Sequence, residues 1–176
     1  MSWRYPGKSL SQRDQSSRKG TALMRTITSS IIIERPIGEV FAFVTDARNN
    51  LLWQSSSGLK EIQQQPEGPV GVGTRIIETR VILGHGAENH SEVTEYEPNR
   101  RYVRTQIGES GPITRGEFTF EPVTEGTRWA TVLHIQAGDP IETDEALLAT
   151  GLRQSIVTDM AVAKALLERR VVENAR

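Results

Sequence analysis

Residues 31–54 read IIIERPIGEVFAFVTDARNNLLWQ, and they combine the end of a strand, a proline and two helical patterns. The β-branched run over residues 27–34 predicts a strand, because branched side chains pack well on a pleated sheet. Pro36 suits the first position of a helix, where its missing N–H would be unpaired in any case. The chain is therefore expected to pass from its first strand directly into helix.

Two short helices are predicted after this proline. Four apolar residues of the first helix recur at helical spacing and form one face: Ile37, Val40, Phe41 and Val44. The second helix covers residues 46–53 and ends at Trp53. Because both helices are short and follow the first strand, we expect them to close one end of a sheet.

Six further strands are predicted, separated by turns rich in Gly, Pro and Asn. Their ranges are 58–65, 75–83, 85–97, 101–107, 113–121 and 127–137. Sequential short strands with short links favour an antiparallel meander. Each of these strands needs a neighbour that buries one of its faces.

A long helix is predicted over residues 143–172, after a break at Asp139-Pro140 and with Thr143 or Asp144 as its cap. Its apolar residues repeat every three or four positions as one stripe: Leu148, Leu152, Ile156, Met160, Ala163 and Leu167. At about 1.5 Å per residue this helix is about 45 Å long. We therefore expect an α+β fold in which a curved antiparallel sheet of about seven strands wraps around the C-terminal helix.

Composition narrows the function classes. The chain has 176 residues, a formal net charge of −1 and no cysteine. The near-neutral charge gives no general attraction to nucleic acid, and the absence of cysteine excludes disulfides, thiolate zinc sites and cysteine nucleophiles. No apolar run approaches the roughly 18 residues of a membrane span. We expect a cytoplasmic protein without stable membrane insertion, with a homodimer as the commonest oligomer.

Residues 1–23 differ from the rest of the chain. They hold five basic residues and one acidic residue, a charge of +4, so the remaining residues carry −5. The segment is rich in Ser, Arg and Gln and has no apolar periodicity, which is typical of disorder. We expect an extension outside a single domain at residues 24–176; a functional basic arm and a targeting peptide are the alternatives.

The order of elements resembles the START-like (SRPBCC) helix-grip superfamily, and most closely its polyketide cyclase/dehydrase-like bacterial members. Beyond residues 31–54, the matching motifs are PEGPVGVGTRI at 66–76, SEVTEYEPNRRY at 91–102, GEFTFEPVTEGTRW at 116–129 and KALLERR at 164–170. The resemblance implies a cavity between the sheet and the long helix that holds an apolar or amphipathic small molecule and is entered near the short helices. It carries over no catalytic residue, because the superfamily has no universal catalytic signature.

Strand alternation selects the side chains that could line such a cavity. Alternate residues share a face on the strands at 75–83, 101–107, 113–121 and 127–137, and three residues of the long helix and Trp53 face the same space. The predicted ligand-binding residues are Trp53, Ile76, Glu78, Arg80, Tyr102, Arg104, Phe118, Phe120, Trp129, Leu152, Ile156 and Met160. An acid among arginines would stay ionised and could orient a polar ligand end. With the opposite parity, these charges form solvated cross-strand pairs instead.

Candidate catalytic residues are His90, Glu78 and Arg104. Imidazole titrates near neutrality, and His90 shares parity with Thr94 and Tyr96, so His90 is the candidate general acid or base. His85 lies five residues from His90, which puts the two rings on opposite faces of a regular strand. His134 falls opposite Trp129 and Leu133. We expect neither a metal site nor a cofactor.

Three functions remain open from the sequence. The first is binding or carriage of a small hydrophobic or amphipathic molecule, with Trp53 either as a plug of the core or as part of the entrance. The second is a cyclase or dehydratase-type enzyme acting on an aromatic or polyketide-like substrate, which needs a polar group inside the cavity. The third is a protein-interaction module that uses the basic tail.

Overall fold

The structure is a computed structural model that describes residues 24–82, 84–108, 113–136 and 145–174. Within these ranges it contains seven strands and three helices. The strands are β1 (Met24–Ile33), β2 (Leu59–Gln65), β3 (Arg75–Ile82), β4 (His85–Glu97), β5 (Arg101–Gln106), β6 (Ile113–Val123) and β7 (Gly126–Gln136). The helices are α1 (Ile37–Thr45), α2 (Ala47–Trp53) and α3 (Glu145–Asn174). The basic tail and the cap predicted at Thr143 or Asp144 lie outside the described residues.

The strands form one antiparallel sheet in the order β1-β7-β6-β5-β4-β3-β2. Strands β2 to β7 are a meander, as their short links predict, and β1 returns to the outer edge beside β7. The long helix α3 packs against β1. Lys164 Nζ donates to the Ile32 carbonyl at 2.8 Å, and the Glu34 N–H donates to Glu168 Oε1 at 2.8 Å. The predicted helix-grip fold is confirmed.

Asp46 explains why residues 31–54 form two helices instead of one. Its backbone is extended (φ −75°, ψ 110°), which ends α1, and its side chain accepts a hydrogen bond from the Arg48 N–H at 3.0 Å, which caps α2. Short acidic side chains are preferred at this position because they satisfy an N–H that the helix leaves unpaired. The sequence predicts Pro36 as the first residue of this helix. In the structure Pro36 is the N-cap residue, and α1 begins one residue later, at Ile37.

The hydrophobic core lies between the inner face of the sheet, which faces α3, and the three helices. From α1, Val40, Phe41, Phe43 and Val44 are buried. Phe41 packs edge-on against Phe120 and Tyr96, with ring centroids 5.1 and 5.3 Å apart. This geometry suits the ring quadrupoles and fixes α1 under the end of the sheet.

Three strands depart from regular alternation. The pairing register shifts in β2 between Leu59 and Glu61, in β4 between Val93 and Glu95, and in β6 between Ile113 and Arg115. Each shift reverses which alternate residues face α3 beyond it. Within the ranges given above, none of the helices combines the length and the apolar character that crossing a lipid bilayer requires.

Candidate ligand cavity

A cavity of about 90 Å³ lies between the inner face of the sheet and α3. Its apolar wall includes six residues that the sequence selected: Trp53, Phe118, Trp129, Leu152, Ile156 and Met160. Trp53 of α2 meets Trp129 of β7 edge-to-face, with ring centroids 5.3 Å apart. Trp53 is buried in the core and also lines the cavity, which agrees with a plug of the core, and a part in the ligand entrance stays a prediction.

The polar side of the cavity is built around Glu78, which is 1% exposed. Its Oε1 accepts a hydrogen bond from Arg104 Nη1 at 2.7 Å, and its Oε2 accepts one from Arg80 Nε at 3.3 Å. Glu78 and Arg80 share the inner face of β3, whereas Arg104 reaches across β4 from β5. The intervening strand offers the short side chains of Asn89 and Ser91 to the cavity, so the long side chains meet over it.

Electrostatic attraction keeps Glu78 and Arg104 in their charged forms. Burial alone would raise the pKa of Glu78, but the positive charges of Arg104 and Arg80 outweigh it and lower the pKa to about 2. Burial disfavours the charge of Arg104, yet the neighbouring Glu78 carboxylate raises the pKa of Arg104 above its usual value. Glu78 is therefore ionised at neutral pH, and its carboxylate orients the arginines without exchanging protons.

The turn after α2, residues 54–57, forms hydrogen bonds with Arg80 of β3 and with Asp159 of α3. Arg80 Nη1 donates to Ser57 Oγ at 2.7 Å, and its Nη2 donates to Gln54 Oε1 at 2.5 Å. From α3, Asp159 accepts hydrogen bonds from the backbone N–H groups of Ser56 and Ser57 at 2.9 and 3.1 Å. Burial raises the pKa of Asp159, and the bonds from Ser57 and Ser56 oppose part of this rise.

Several buried polar atoms of the cavity wall have no hydrogen-bond partner among the residues that the structure describes. They are Trp53 Nε1, Trp129 Nε1, Thr131 Oγ1 and Asn89 Oδ1. Beside them, Arg104 donates to Glu78 through one nitrogen, and its guanidinium carbon lies 6.0 Å from the ring centre of Phe118. Buried polar groups are nearly always paired with protein or with ordered water, so these atoms are available to a partner inside the cavity.

Nine of the twelve residues predicted to bind a ligand line this cavity: the six apolar residues above and Glu78, Arg80 and Arg104. The other three lie away from its wall. Ile76 is fully buried on β3, and Tyr102 and Phe120 are buried in the aromatic core beside α1. Burial raises the pKa of Tyr102 to about 12, so its hydroxyl stays protonated at neutral pH.

The structure corrects the placement of His90, which we predicted as a general acid or base. Asn89 and Ser91 line the cavity, so His90 lies on the outer face, where its Nε2 hydrogen-bonds Glu88 Oε1 at 2.5 Å. Its expected shared parity with Tyr96 fails because the bulge between Val93 and Glu95 switches the inward phase of β4.

His134 likewise provides no catalytic group for the cavity. His134 faces outward on β7, and its Nε2 lies 3.2 Å from Glu117 Oε1. His85 is the first residue of β4, where it pairs with Ile82. In the described segments, no group of three or more His, Asp or Glu is placed to hold a metal ion.

Sequence reasoning missed Asp159, the one acidic residue that α3 contributes to the described cavity wall. It also did not select Gln54, Ser57 or Asn89 as site residues. A signal for Asp159 was present, because it is a carboxylate within the apolar stripe that contains Ile156 and Met160. A charged residue on a buried helix face is either paired or functional.

Comparisons with known proteins agree with this architecture. Residues 24–168 match the family model described as "Polyketide cyclase / dehydrase and lipid transport". No curated protein sequence matched the chain. The solved structure of the Zhui aromatase/cyclase from Streptomyces sp. R1128 superposes with a TM-score of 0.68 and 16% identity, covering 85% of this chain and 96% of that one.

Two further solved structures share the fold. TTHA0849 from Thermus thermophilus has a TM-score of 0.67 and 16% identity, covering 83% of this chain and 99% of its own. The di-domain ARO/CYC StfQ from the steffimycin biosynthetic pathway has a TM-score of 0.68 and 15% identity, covering 85% of this chain and 52% of its own. This chain therefore spans about half the length of StfQ.

Proposed function

The chain belongs to the polyketide cyclase/dehydrase and lipid transport family, and from this premise we propose that it binds a small hydrophobic or amphipathic molecule between the sheet and α3. The observation that carries the proposal is the cavity, whose wall combines apolar and aromatic side chains with buried polar atoms that have no partner in the described residues. A water-filled cavity would leave the aromatic wall hydrated, whereas an apolar ligand would cover it.

The size of the cavity limits what it can enclose. An engineered apolar cavity of roughly 150 Å³ holds benzene, and the cavity here measures about 90 Å³. The enclosed part of a ligand is therefore about one ring or a short chain end. A cytoplasmic location and a homodimer stay predictions, the first resting on the absence of cysteine.

Filling the cavity tests this function. We expect Ile156→Trp to reduce the affinity for the neutral probe cinnamyl alcohol by about tenfold or more, because an indole at this position occupies the space of the ligand. Val157→Trp is the matched control, since Val157 is the next residue of α3 and is exposed. Titration calorimetry measures both, and native mass spectrometry of the purified protein reports any ligand that co-purifies.

Equal affinities of the two tryptophan variants for the probe would contradict binding in this cavity. The same holds if the wild-type protein takes up neither cinnamyl alcohol nor any apolar compound from a library of one- and two-ring molecules.

A cyclase or dehydratase-type enzyme is the second candidate function, and Asp159 favours it. Asp159 lines the cavity, and its pKa is raised by burial, so its carboxyl is closer than Glu78 to the range where proton transfer is useful. Arg104 faces the same cavity with N–H groups that could stabilise negative charge on a substrate oxygen.

We expect Asp159→Asn to reduce dehydrative ring closure of a linear β-polyketone thioester by about a hundredfold or more. Glu168→Gln is the control, because Glu168 is an acid of the same helix that pairs with Lys164 away from the cavity. Product analysis by mass spectrometry measures the effect, and circular dichroism confirms folding. Wild-type product formation at the protein-free rate, or an unchanged rate in the Asp159 variant, would rule this role out.

A further inference from the structure

The unpaired polar atoms of the cavity are mainly hydrogen-bond donors. The indole N–H groups of Trp53 and Trp129 have no partner in the described residues and can act only as donors. The guanidinium of Arg104, which lines the same cavity, is also a donor only. The Thr131 hydroxyl can donate or accept, and it is 3% exposed. Trp53 and Trp129 are 4% and 1% exposed, so bulk water does not satisfy their N–H groups.

Most acceptors around the same cavity are already engaged, and Asn89 Oδ1 is the one atom that can only accept among the four unpaired wall atoms named above. Both oxygens of Glu78 accept from arginines, both oxygens of Asp159 accept from backbone N–H groups, and Gln54 Oε1 accepts from Arg80. In the part of the chain that the structure describes, donors therefore exceed available acceptors at this site. The occupant has to bring oxygen acceptors of its own.

The charged side chains of the cavity are compensated in number, and what distinguishes Arg104 within the described residues is its unused N–H groups. Glu78 carries one negative charge between two arginines. Asp159 interacts electrostatically with Arg80, so it offsets the charge of Arg80. Arg115, which also lines the cavity, pairs with Glu95 and Glu117. Arg104 donates to Glu78 through Nη1, so its other N–H groups can still donate to a ligand in the cavity.

Gly116 lets neighbouring side chains pack closely against its backbone on the cavity wall. It pairs with Arg104 across β5 and β6, and it is part of the cavity wall. A Cβ at Gly116 would lie 3.3 Å from both Leu133 Cδ2 and Phe118 Cε2. The Phe118 ring therefore lies close to Gly116, and together with the rings of the two tryptophans it gives the cavity that Arg104 lines flat, aromatic walls.

We propose that the cavity binds a planar conjugated carboxylate of about one ring, with the carboxylate directed to Arg104 and the donors of Trp53, Trp129 and Thr131. A guanidinium presents several N–H groups in one plane, which matches the two oxygens of a carboxylate. The inference rests on the proposed function, because it names the ligand class of that cavity.

The first experiment compares trans-cinnamate with cinnamyl alcohol by titration calorimetry near neutral pH. We expect trans-cinnamate to bind about tenfold more tightly, because only its carboxylate engages Arg104 as a charged acceptor. Tighter or equal binding of the alcohol overturns the carboxylate assignment and leaves the proposed function standing. Binding of neither compound, together with no response to the apolar library, overturns both.

The second experiment separates ligand contacts from folding with two threonines of β7. Thr131→Val removes the unpaired hydroxyl of the cavity, whereas Thr127→Val removes a hydroxyl that donates to the Arg35 carbonyl at 2.8 Å, away from the cavity. We expect Thr131→Val to weaken trans-cinnamate binding about five- to tenfold and Thr127→Val to leave it within about twofold. Equal effects of the two variants, or the reverse order, would overturn the proposal.

Arg104→Met provides the decisive comparison, since Glu78 keeps Arg80 as a partner. The preference for trans-cinnamate over cinnamyl alcohol is expected to disappear in this variant while binding of the alcohol persists. A preference that survives in a folded Arg104 variant means that another group holds the carboxylate, and it overturns the assignment. If this variant does not fold, the comparison of the two threonine variants decides.

Discussion

Replacing Glu78 by glutamine is expected to lower the free energy of unfolding by about 3–5 kcal/mol. Glutamine keeps the shape of the side chain but removes the charge that compensates Arg80 and Arg104. All three side chains are nearly inaccessible, with 2% exposure for Glu78, 11% for Arg80 and 13% for Arg104. Removing one partner of a buried ion pair leaves uncompensated charge in a poorly solvated site, which is why the effect is large. Urea denaturation measures it.

Glu97→Gln is the matched control for this substitution. Glu97 forms an ion pair with Arg100 at 2.8 Å, but the two side chains are 49% and 78% exposed. Water and salt screen such a pair, so the loss should stay within about 1 kcal/mol. Equal losses of stability for the two variants would show that burial does not determine how strongly Glu78 and its two arginines stabilise the fold.

The same carboxylate gives the stability a defined pH dependence. The pKa of Glu78 is about 2 in the folded protein, against an ordinary value of 4.5. Because the folded value is the lower one, the ionised carboxylate stabilises the fold fully above about pH 4.5, and this contribution is lost as the pH falls towards 2. The difference in stability between wild type and Glu78→Gln should therefore shrink across this window.

Gly58→Ala is expected to destabilise the protein by about 3 kcal/mol or more, through a backbone position next to the cavity. Gly58 has φ +81°, and a Cβ there would lie 2.1 Å from the Val81 carbonyl oxygen. A left-handed conformation costs alanine about 1–2 kcal/mol, and the clash with fixed backbone adds an overpacking penalty of similar size. Thermal unfolding followed by circular dichroism measures the loss.

Gly73→Ala separates these two contributions. Gly73 has nearly the same φ, +87°, but a Cβ there would meet nothing within 4 Å. This variant should lose only the conformational part, about 1–2 kcal/mol. Since Gly58 follows the serines that bind Asp159, its alanine variant should also bind the cavity probes more weakly. If Gly58→Ala were as stable as Gly73→Ala, the backbone at Gly58 and Val81 would be able to move apart without a measurable loss of stability.

Strand periodicity was sufficient to place much of the cavity. Glu78, Arg80 and Arg104 lie on β3 and β5, where alternation is regular across these positions, so counting by two gives the correct face. The long helix was predictable for the same reason, because one apolar stripe at a spacing of three to four residues needs one buried face.

Bulges and packing were not predictable from the same pattern. The extra residue in β4 near Val93 leaves no clear trace in the sequence, yet it decides that His90 faces outward while Tyr96 faces inward. Ile76, Tyr102 and Phe120 share the inward face as predicted, but neighbouring side chains fill the space around them. Which inward residues border free volume depends on how all of them pack together.

The pairing of β1 with β7 affects how this protein folds while the ribosome synthesises it. Strands β2 to β7 can pair one after another as they emerge, because each neighbours the next in sequence. The strand β1 is synthesised before all of them, but its partners are β7, through contacts such as Ile33 with Thr127, and then α3. Until those last segments emerge, β1 is an unpaired apolar strand, the kind of segment that recruits other chains. We therefore expect nascent chains stalled before β7 to depend on a chaperone that shields β1, and full-length chains to be released from that dependence.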